Sequence, residues 1–175
     1  ERYDFGANPS LAAQIHEQAN IRNERRFADF AVGIASRSEP GSTFNYATLD
    51  TAVLGWVLEQ ATGERIENLM ESRIWQPLGA EHDGHFIADG PVGANLGEGG
   101  RALNGMGFNA SLRDFARLGQ LMLDDGMAGD TRILPEGWVA QMTAMKPTGM
   151  PAGAGFPGYG LQVWQVDGEP GAYAF

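Results

Sequence analysis

The sequence predicts an α+β fold in which helices dominate and a few strands lie toward the C-terminal end. Three stretches keep the spacing of amphipathic helices, at residues 50–62, 65–76 and 111–124. One later stretch, residues 159–166, alternates apolar and polar side chains as a strand does. We expect the helical region to cover about residues 9–145 and the sheet strands to cover about residues 159–175.

The composition is that of a globular protein and excludes several classes of partner. The chain has 175 residues, of which 43% are hydrophobic and 19% are charged, enough for one domain of ordinary size. Its formal net charge of −10 argues against nucleic acid and anionic membrane surfaces as partners. Cysteine is absent, so the chain can form neither disulfides nor a reactive thiolate. No apolar run approaches about eighteen residues, so we expect no transmembrane segment in this chain.

Two helices are predicted before the first Pro-Gly turn. The first runs from Pro9 to Asn20, starts near Ser10 and carries a thin apolar stripe. That stripe consists of Leu11, Ala12 and Ile15. The second helix is shorter and extends from Phe27 to Ile34, where the apolar residues again keep helical spacing.

The strongest helix signal follows the turn at Pro40-Gly41. A short extended piece, Ser42 to Tyr46, leads into this helix. The apolar residues of the helix share one face: Val53, Leu54, Val57, Leu58 and Ala61. Gly63 supplies the stop, because glycine readily takes the left-handed conformation that helix ends often need. Tyr46 therefore lies at the entry to a helix whose packing can fix the direction of its side chain.

The next helix, at residues 65–76, follows after a connection of only two residues, Gly63-Glu64. Its predicted buried face consists of Ile66, Leu69, Met70, Ile74 and Trp75. The helix ends at Pro77-Leu78-Gly79. Because the connection is short, we expect the two helices to pack as a hairpin.

Two patterns between residues 81 and 107 could be read as ligand sites. His82, Asp83 and His85 could coordinate a metal, but their spacing matches no strong zinc pattern. We therefore expect a loop that leads into a short strand at residues 86–88, and no metal. The Gly-rich residues 91–107 lack the lysine and the glycine spacing of a phosphate cradle. We interpret them as a flexible loop near an active-site opening.

The third strong helix is predicted to be capped by Ser111, with Asp114 at the capping-box position, and to end at Gly126. Its predicted inner face consists of Leu112, Phe115, Ala116, Gly119, Met122 and Leu123. A short helix over residues 136–145 follows, and then the strand at 159–166, whose core-facing residues would be Leu161, Val163 and Trp164. The apolar residues 171–175 should be extended and should lie inside a sheet.

Residues 40–63 also form a longer pattern. They read Pro-Gly-x-x-Phe-x-Tyr-x-Thr, followed by a helix that ends in Glu-x-x-Thr-Gly. This pattern resembles the second active-site motif of the serine β-lactamase-like hydrolases. The later Ile-Trp-x-Pro-Leu-Gly, residues 74–79, and the Ser-Leu-Arg-Asp helix from Ser111 are similar to sequences in the same superfamily. The resemblance implies a β-lactamase/transpeptidase-like fold, with Tyr46 as a catalytic residue and Thr48 in a substrate-binding position where asparagine is commonest.

Three features resemble one branch of that superfamily, the 6-aminohexanoate-dimer hydrolases and related esterases. Tyr3 lies where that branch carries a tyrosine that reaches the substrate. The stretch from Glu81 to Asp89 matches the Glu-x-Asp-x-x-x-x-x-Asp spacing found there. Thr48, in place of asparagine, is the third feature. The resemblance implies a small-molecule amide or ester as substrate and no cofactor.

The nucleophile of the superfamily is missing from this chain. The mechanism needs Ser-x-x-Lys, in which serine attacks a carbonyl while the lysine and the motif tyrosine manage its proton. The single lysine is Lys146, and Thr143 stands three residues before it. We do not assign Lys146 to the third motif, because it follows a helix in a Pro/Gly loop. We therefore expect residues 1–175 to be an internal fragment of one β-lactamase-like domain.

Two other functions stay open on the sequence. A β-lactamase or D,D-carboxypeptidase would be recognised by hydrolysis of a chromogenic cephalosporin. A binding or sensor domain on the same fold would lack Ser-x-x-Lys in the upstream coding sequence. The composition does not indicate a compartment, because cysteine usage carries no signal here.

Overall fold

The structure, a computed structural model, describes residues 4–90, 100–151 and 153–175. The described chain divides into two compact units. Unit 1 is formed by the described parts of Glu1–Arg37, Tyr46–Trp75 and His82–Ser111. Unit 2 is formed by the described parts of Ser38–Asn45, Gln76–Glu81 and Leu112–Phe175.

Helix α1, Leu11–His16, opens unit 1 and continues as a π-helical turn, Glu17–Ile21. Ser10 is its N-cap, and its hydroxyl accepts a hydrogen bond from the Ala13 amide at 3.2 Å. The helix predicted from Pro9 to Asn20 is therefore confirmed. Its predicted stripe is correct only in part, since the buried residues are Ala13, Ile15 and Ala19, while Leu11 is exposed.

The helix predicted over residues 27–34 is a 3₁₀-helix, Phe27–Gly33. It buries Phe27 and Ala28 but leaves Ile34 exposed just beyond its end. The 3₁₀ form is common in helical pieces as short as this one.

Helix α2, Thr48–Thr62, is the longest in the described chain, and it ends at Gly63 in the left-handed conformation, with φ +71°. The predicted buried face of this helix is wrong. Leu54 and Leu58 are 54% and 46% exposed, and the side turned toward the core carries Thr48, Ala52 and Gly55. Apolar residues lie all round α2, so helical spacing alone could not distinguish the two sides. The side with small residues is buried because it permits close approach of a neighbouring segment.

Helix α3, Ile66–Met70, follows directly and continues as a π-helical turn, Glu71–Trp75. Its predicted face is confirmed. Trp75 is buried, and the other predicted members are partly buried: Ile66, Leu69, Met70 and Ile74. The side chain of Glu59 in α2 accepts a hydrogen bond from the Ile66 amide at 3.2 Å, which joins the two helices as the predicted hairpin requires.

The remainder of unit 1 is a small antiparallel arrangement around residues 85–109. Strand β1, His85–Phe86, pairs with β2, Phe108–Asn109, and Ala88 forms an isolated bridge with Ala102. The flexible-loop interpretation of the Gly-rich segment is wrong for residues 100–107, because Ala102 and Leu103 are buried there. Residues 91–99 lie outside the described part of the chain.

The core of unit 1 draws on five segments of the chain. Its buried members are Ile15, Ala19, Phe27, Ala52 and Leu103, with Phe30, Leu49 and Met106 packed against them. Helix α1, the π-helical turn, the 3₁₀-helix, α2 and the segment after residue 100 thus share one apolar cluster. This cluster sets the position of the first turns of α2.

Unit 2 contains helix α4, Leu112–Leu123, which begins directly after Ser111. The predicted inner face is wrong. Leu112 and Leu123 are strongly exposed, and the buried residues are Asp114 and Leu121. Asp114, predicted at the capping-box position, is instead a buried carboxylate, and its burial is possible because it has hydrogen-bond partners.

Asp114 is 0% exposed and joins α4 to residues 76–81. Its Oδ1 accepts from the Glu81 amide at 2.9 Å and from Nη1 of Arg117 at 2.7 Å. Nη2 of Arg117 in turn donates to the Glu81 carboxylate at 2.5 Å. These contacts raise the pKa of the Arg117 guanidinium, chiefly through its hydrogen bond with Glu81. Arg117 thus pairs with Asp114 within the same helix and with Glu81 outside it.

The strands of unit 2 form a two-stranded and a four-stranded antiparallel sheet. The first is β3, Met127–Ala128, paired with β4, Thr131–Arg132. The second has the order β5–β6–β7–β8, with β5 Lys146–Pro147, β6 Gly158–Tyr159, β7 Trp164–Gln165 and β8 Tyr173–Ala174. The short helix α5, Trp138–Met142, precedes β5 and confirms the helix predicted in that region.

Two details of the four-stranded sheet correct the sequence prediction. The single strand predicted at 159–166 is a hairpin, in which Tyr159 pairs with Trp164 and the Gly160 amide donates to the Val163 carbonyl at 2.8 Å. Val163 is buried as predicted, but Leu161 is exposed at the turn. Lys146 lies in the edge strand β5, not in the predicted loop. The extended residues 171–175 pair through β8 with β7, as expected.

No helix within the described residues is long and apolar enough to span a membrane.

We predict that Asp114→Ala destabilises the folded protein by about 1–3 kcal/mol, because it removes the buried carboxylate that accepts hydrogen bonds from the Glu81 amide and from Arg117. Urea unfolding followed by circular dichroism measures the change. Arg113→Ala is the control, since Arg113 is exposed and its nearest Glu81 oxygen is 3.8 Å away. It should change stability by less than about 0.5 kcal/mol. Equal effects of the two substitutions would contradict the structural role of Asp114.

Candidate active site at the start of helix α2

The motif that contains Tyr46 begins with a tight turn at residues 39–42. The Ser42 amide donates to the Glu39 carbonyl at 3.1 Å, and the Ser42 hydroxyl donates to the same oxygen at 2.7 Å. Gly41 has φ +76°, a conformation that side-chain-bearing residues rarely adopt. The turn therefore explains the Pro-Gly pair of the motif, because it requires a positive φ at residue 41. The turn predicted at Pro40-Gly41 is confirmed.

Phe44, in the middle of the motif, belongs to an aromatic cluster of unit 2. Its ring lies 5.4 Å from that of Tyr159 and 5.8 Å from that of Trp164, measured between centroids. Phe156 adds a further contact, 5.1 Å from Trp164. Tilted and edge-to-face pairs at these distances are favourable. The motif phenylalanine is therefore held by aromatic contacts within unit 2.

Tyr46 lies two residues before α2, in a part of the chain that is neither helix nor strand. Ala47 is the N-cap residue of the helix, with φ −143° and ψ +113°, and its carbonyl accepts from the Asp50 amide at 3.0 Å. The Tyr46 side chain is 38% exposed. Its backbone is thus joined to a well-formed first helical turn, while part of its ring is accessible from outside.

The two other predicted site residues have different outcomes. Thr48 is the first residue of α2 and is only 5% exposed. It lies against Gly105, so its structural surroundings are those of a packing residue, and its contact with a substrate stays a prediction. Tyr3 lies outside the described residues, and its role also stays a prediction.

The structure brings two residues to the first turns of α2 that sequence reasoning missed. The Asn104 side chain donates from Nδ2 to the Thr51 carbonyl at 2.6 Å. Gly105 lies so close to the helix that an added Cβ would be 3.2 Å from Cγ2 of Thr48. The only sequence signal was an Asn-Gly pair within a Gly-rich stretch, and such a pair usually indicates a turn.

Asp89 is a third residue whose structural role sequence reasoning missed. It is 3% exposed, and its carboxylate accepts from the Phe27 amide at 2.5 Å and from the Arg101 amide at 2.9 Å. Its own amide donates to the Arg101 carbonyl at 2.9 Å. Burial raises the pKa of the Asp89 carboxyl, although the two amide donors and the charges of Arg101 and Arg26 oppose the shift.

A buried ion pair fixes the other half of α2. Glu59 and Arg101 approach to 3.1 Å, with most of both side chains removed from solvent. The guanidinium also lies 5.3 Å from the centroid of the Trp56 ring. Because Glu59 additionally holds the Ile66 amide, this pair joins α2, the start of α3 and the segment that follows residue 100. These contacts stabilise the scaffold and lie on a part of α2 remote in sequence from Tyr46.

His82 and His85 both take part in the local structure of unit 1. The His82 carbonyl accepts a hydrogen bond from the Trp75 indole at 2.8 Å. His85 lies in strand β1. Among residues 4–90, 100–151 and 153–175, no three His, Asp or Glu side chains are grouped so as to hold a metal ion.

We predict a pH-dependent contribution of Asp89 to stability. Because its pKa is raised in the native state, that state binds the proton at higher pH than the unfolded chain does. The unfolding free energy should therefore fall as pH rises from about 4, the ordinary aspartate value, through the raised pKa.

Asp89→Asn removes this titration and provides the comparison. The stability of the wild-type protein relative to Asp89→Asn should increase as pH is lowered through that window, in urea titrations at matched ionic strength. A difference that is constant with pH, or that decreases on acidification, would contradict the raised pKa.

Comparison with known proteins yields a consistent result. The family model described as Beta-lactamase matches residues 5–175. The 6-aminohexanoate-dimer hydrolase of Paenarthrobacter ureafaciens is 29% identical over 142 residues, which cover 78% of this chain and 34% of that protein.

Solved structures show the same fold. A penicillin binding protein from Bacillus halodurans superposes with a TM-score of 0.61 at 18% identity, over 93% of this chain and 53% of that one. The D-amino acid amidase of Ochrobactrum anthropi SV3, complexed with D-phenylalanine, gives 0.56 at 18% identity, over 79% and 45% of the two chains. The chain thus spans from about one third to about half the length of these relatives. The predicted β-lactamase/transpeptidase-like fold is confirmed.

Proposed function

The chain belongs to the beta-lactamase family, and from this premise we propose that the complete protein is a serine hydrolase of amide or ester bonds. The reaction would proceed through an acyl-serine intermediate that water then hydrolyses. The observation that carries the proposal is Tyr46, which stands partly exposed at the fixed entry to α2, within the motif of residues 40–63.

Within the family we propose the 6-aminohexanoate-dimer hydrolase and esterase branch. The 29% identity to the Paenarthrobacter ureafaciens enzyme supports this choice. The stretch from Glu81 to Asp89 and the threonine at position 48 support it as well. The substrate class would accordingly be a small molecule with an amide or ester bond, and Tyr3 and Thr48 would contact it.

We further propose that this chain is an internal part of the complete domain. No Ser-x-x-Lys occurs in residues 1–175, so the nucleophile would lie in another segment. The outer side of α2 supports the proposal, because an apolar stripe at helical spacing is exposed there: Leu54, Val57, Leu58 and Ala61. Such stripes on helices normally face a core or a partner.

The proposed role of Tyr46 is to move one proton. As the serine hydroxyl attacks the carbonyl, its proton passes to the Tyr46 oxygen, and the same proton then goes to the leaving nitrogen or oxygen. A free tyrosine is protonated at neutral pH, with a pKa near ~10. The ammonium of a Ser-x-x-Lys lysine would favour the phenolate through its charge.

We predict that Tyr46→Phe in the complete protein lowers kcat by roughly 10²–10⁴-fold, the range typical of general acid–base groups. KM should change less, because the lost interaction belongs to the transition state. Steady-state kinetics on an amide and an ester substrate measure both constants.

The matched control is Tyr173→Phe, which removes a phenol oxygen of similar exposure from strand β8. That variant should keep its turnover. If Tyr46→Phe folds normally and retains more than about half of the wild-type kcat, well outside the range given above, Tyr46 is a packing residue and the assignment fails.

A second prediction concerns residues 1–175 expressed alone. A fluorophosphonate probe should give no stoichiometric adduct on this chain, because it carries no serine activated by a neighbouring lysine motif. Intact-mass spectrometry of the chain and of the complete protein, treated in parallel, makes the comparison. An adduct on any serine within residues 1–175 would show that the nucleophile is present after all.

A further inference from the structure

Asn104 occupies a notch in helix α2 that exists because residue 55 is glycine. A Cβ added to Gly55 would lie 2.6–2.8 Å from three atoms of the Asn104 amide, far inside normal contact distance. In that notch the amide donates to the Thr51 carbonyl at 2.6 Å. The side chain therefore inserts into the helix surface and also forms a hydrogen bond with it.

Gly105 extends this contact toward the start of the helix. An added Cβ there would lie 3.2 Å from Cγ2 of Thr48 and 3.3 Å from Cβ of Thr51. Thr48 is buried, and Ala52 between these positions belongs to the core. The first two turns of α2 are thus packed closely against Asn104 and Gly105, with no room for an added methyl group at Gly55 and little at Gly105.

The segment that carries Asn104 is itself fixed. The Leu103 amide donates to the Ile87 carbonyl at 2.8 Å, and the Ile87 amide donates to the Gly107 carbonyl at 3.1 Å. Leu103 is almost fully buried in the core of unit 1. These bonds join the segment to residues 87 and 107, so the position of Asn104 is set by contacts outside α2 as well as by the helix itself.

We propose that Asn104 is the positioning residue for Tyr46. It prevents α2 from sliding or turning about its axis, and Tyr46 is attached to the helix through a single intervening residue, Ala47. Proton transfer is sensitive to such placement, because a misplacement of about 1 Å can cost roughly 10²-fold in rate. The inference rests on the proposed role of Tyr46 in acyl transfer.

The test uses two substitutions in the complete protein that disturb the notch from opposite sides. Gly55→Ala places a methyl group where the Asn104 amide stands, and Asn104→Asp replaces the donor to Thr51 by an oxygen that repels the carbonyl. Each should lower kcat by roughly 10–100-fold with a smaller change in KM. The effects of the two should not add, since both break one contact.

The control for Gly55→Ala is Gly119→Ala. Gly119 is also helical, but an added Cβ would meet nothing within 4 Å. This variant should keep wild-type turnover. All rates are expressed per active site. The active sites are counted as the fraction of protein that a fluorophosphonate labels at completion, so that a loss of folded protein is not mistaken for slow chemistry. Should Gly55→Ala fail to fold, the isosteric Asn104→Asp decides alone.

The same substitutions in a Tyr46→Phe background separate the two proposals. If Asn104 acts through Tyr46, Asn104→Asp should have little further effect once the phenol oxygen is gone. An equal loss in both backgrounds, or wild-type turnover in Asn104→Asp itself, would overturn the positioning role. Near-normal turnover in Tyr46→Phe would instead overturn the proposed function, whatever the Asn104 variants do.

Discussion

The buried carboxylate of Asp89 is the contact on which the rest of unit 1 depends. It accepts amide hydrogen bonds from Phe27 and from Arg101, which are 62 and 12 residues away in the chain. One bond holds the start of the 3₁₀-helix, and the other holds the segment that supplies Leu103 to the core. Because α2 packs on that segment, its position depends in part on Asp89, a residue that lies outside the helix. An isolated buried carboxylate is unfavourable, and here two amide donors offset much of that cost.

The two sides of α2 explain how much of the fold could be predicted. Its existence and its end at Gly63 follow from local signals, and so do the cap at Ser10 and the turn at Gly41. Local signals did not predict which side of α2 is buried. Large apolar residues lie on one side and Ala52 and Gly55 on the other, so either side could face the core. Close packing favours the small residues, since it brings backbones together. The buried side of α4 was predicted wrongly for a different reason, because the buried residue is a carboxylate, Asp114, that pairs with Arg117, whereas apolar spacing had pointed to Leu112 and Leu123.

The candidate site also contains one residue that the sequence could predict and one that it could not. Tyr46 could be found from the motif, because every element of that motif is local in sequence: a turn, an extended piece and a helix start. Asn104 could not, because its partner Thr51 is 53 residues away and no periodicity connects the two. A contact of that separation requires the fold to be known first. Sequence reasoning therefore identified the group proposed to react and missed the residue proposed to hold it.

The placement of Tyr46 meets two requirements of proton transfer that usually conflict. The phenol must be reachable, and Tyr46 is partly exposed. Its backbone must also be fixed, and we propose that the contact of the buried small side of α2 with Asn104 achieves this. The contacts that fix the helix are therefore separate from the atoms proposed to react. In such an arrangement, loss of the phenol oxygen changes the chemistry with little change in packing, whereas a methyl group at Gly55 changes the geometry and leaves the reacting group intact.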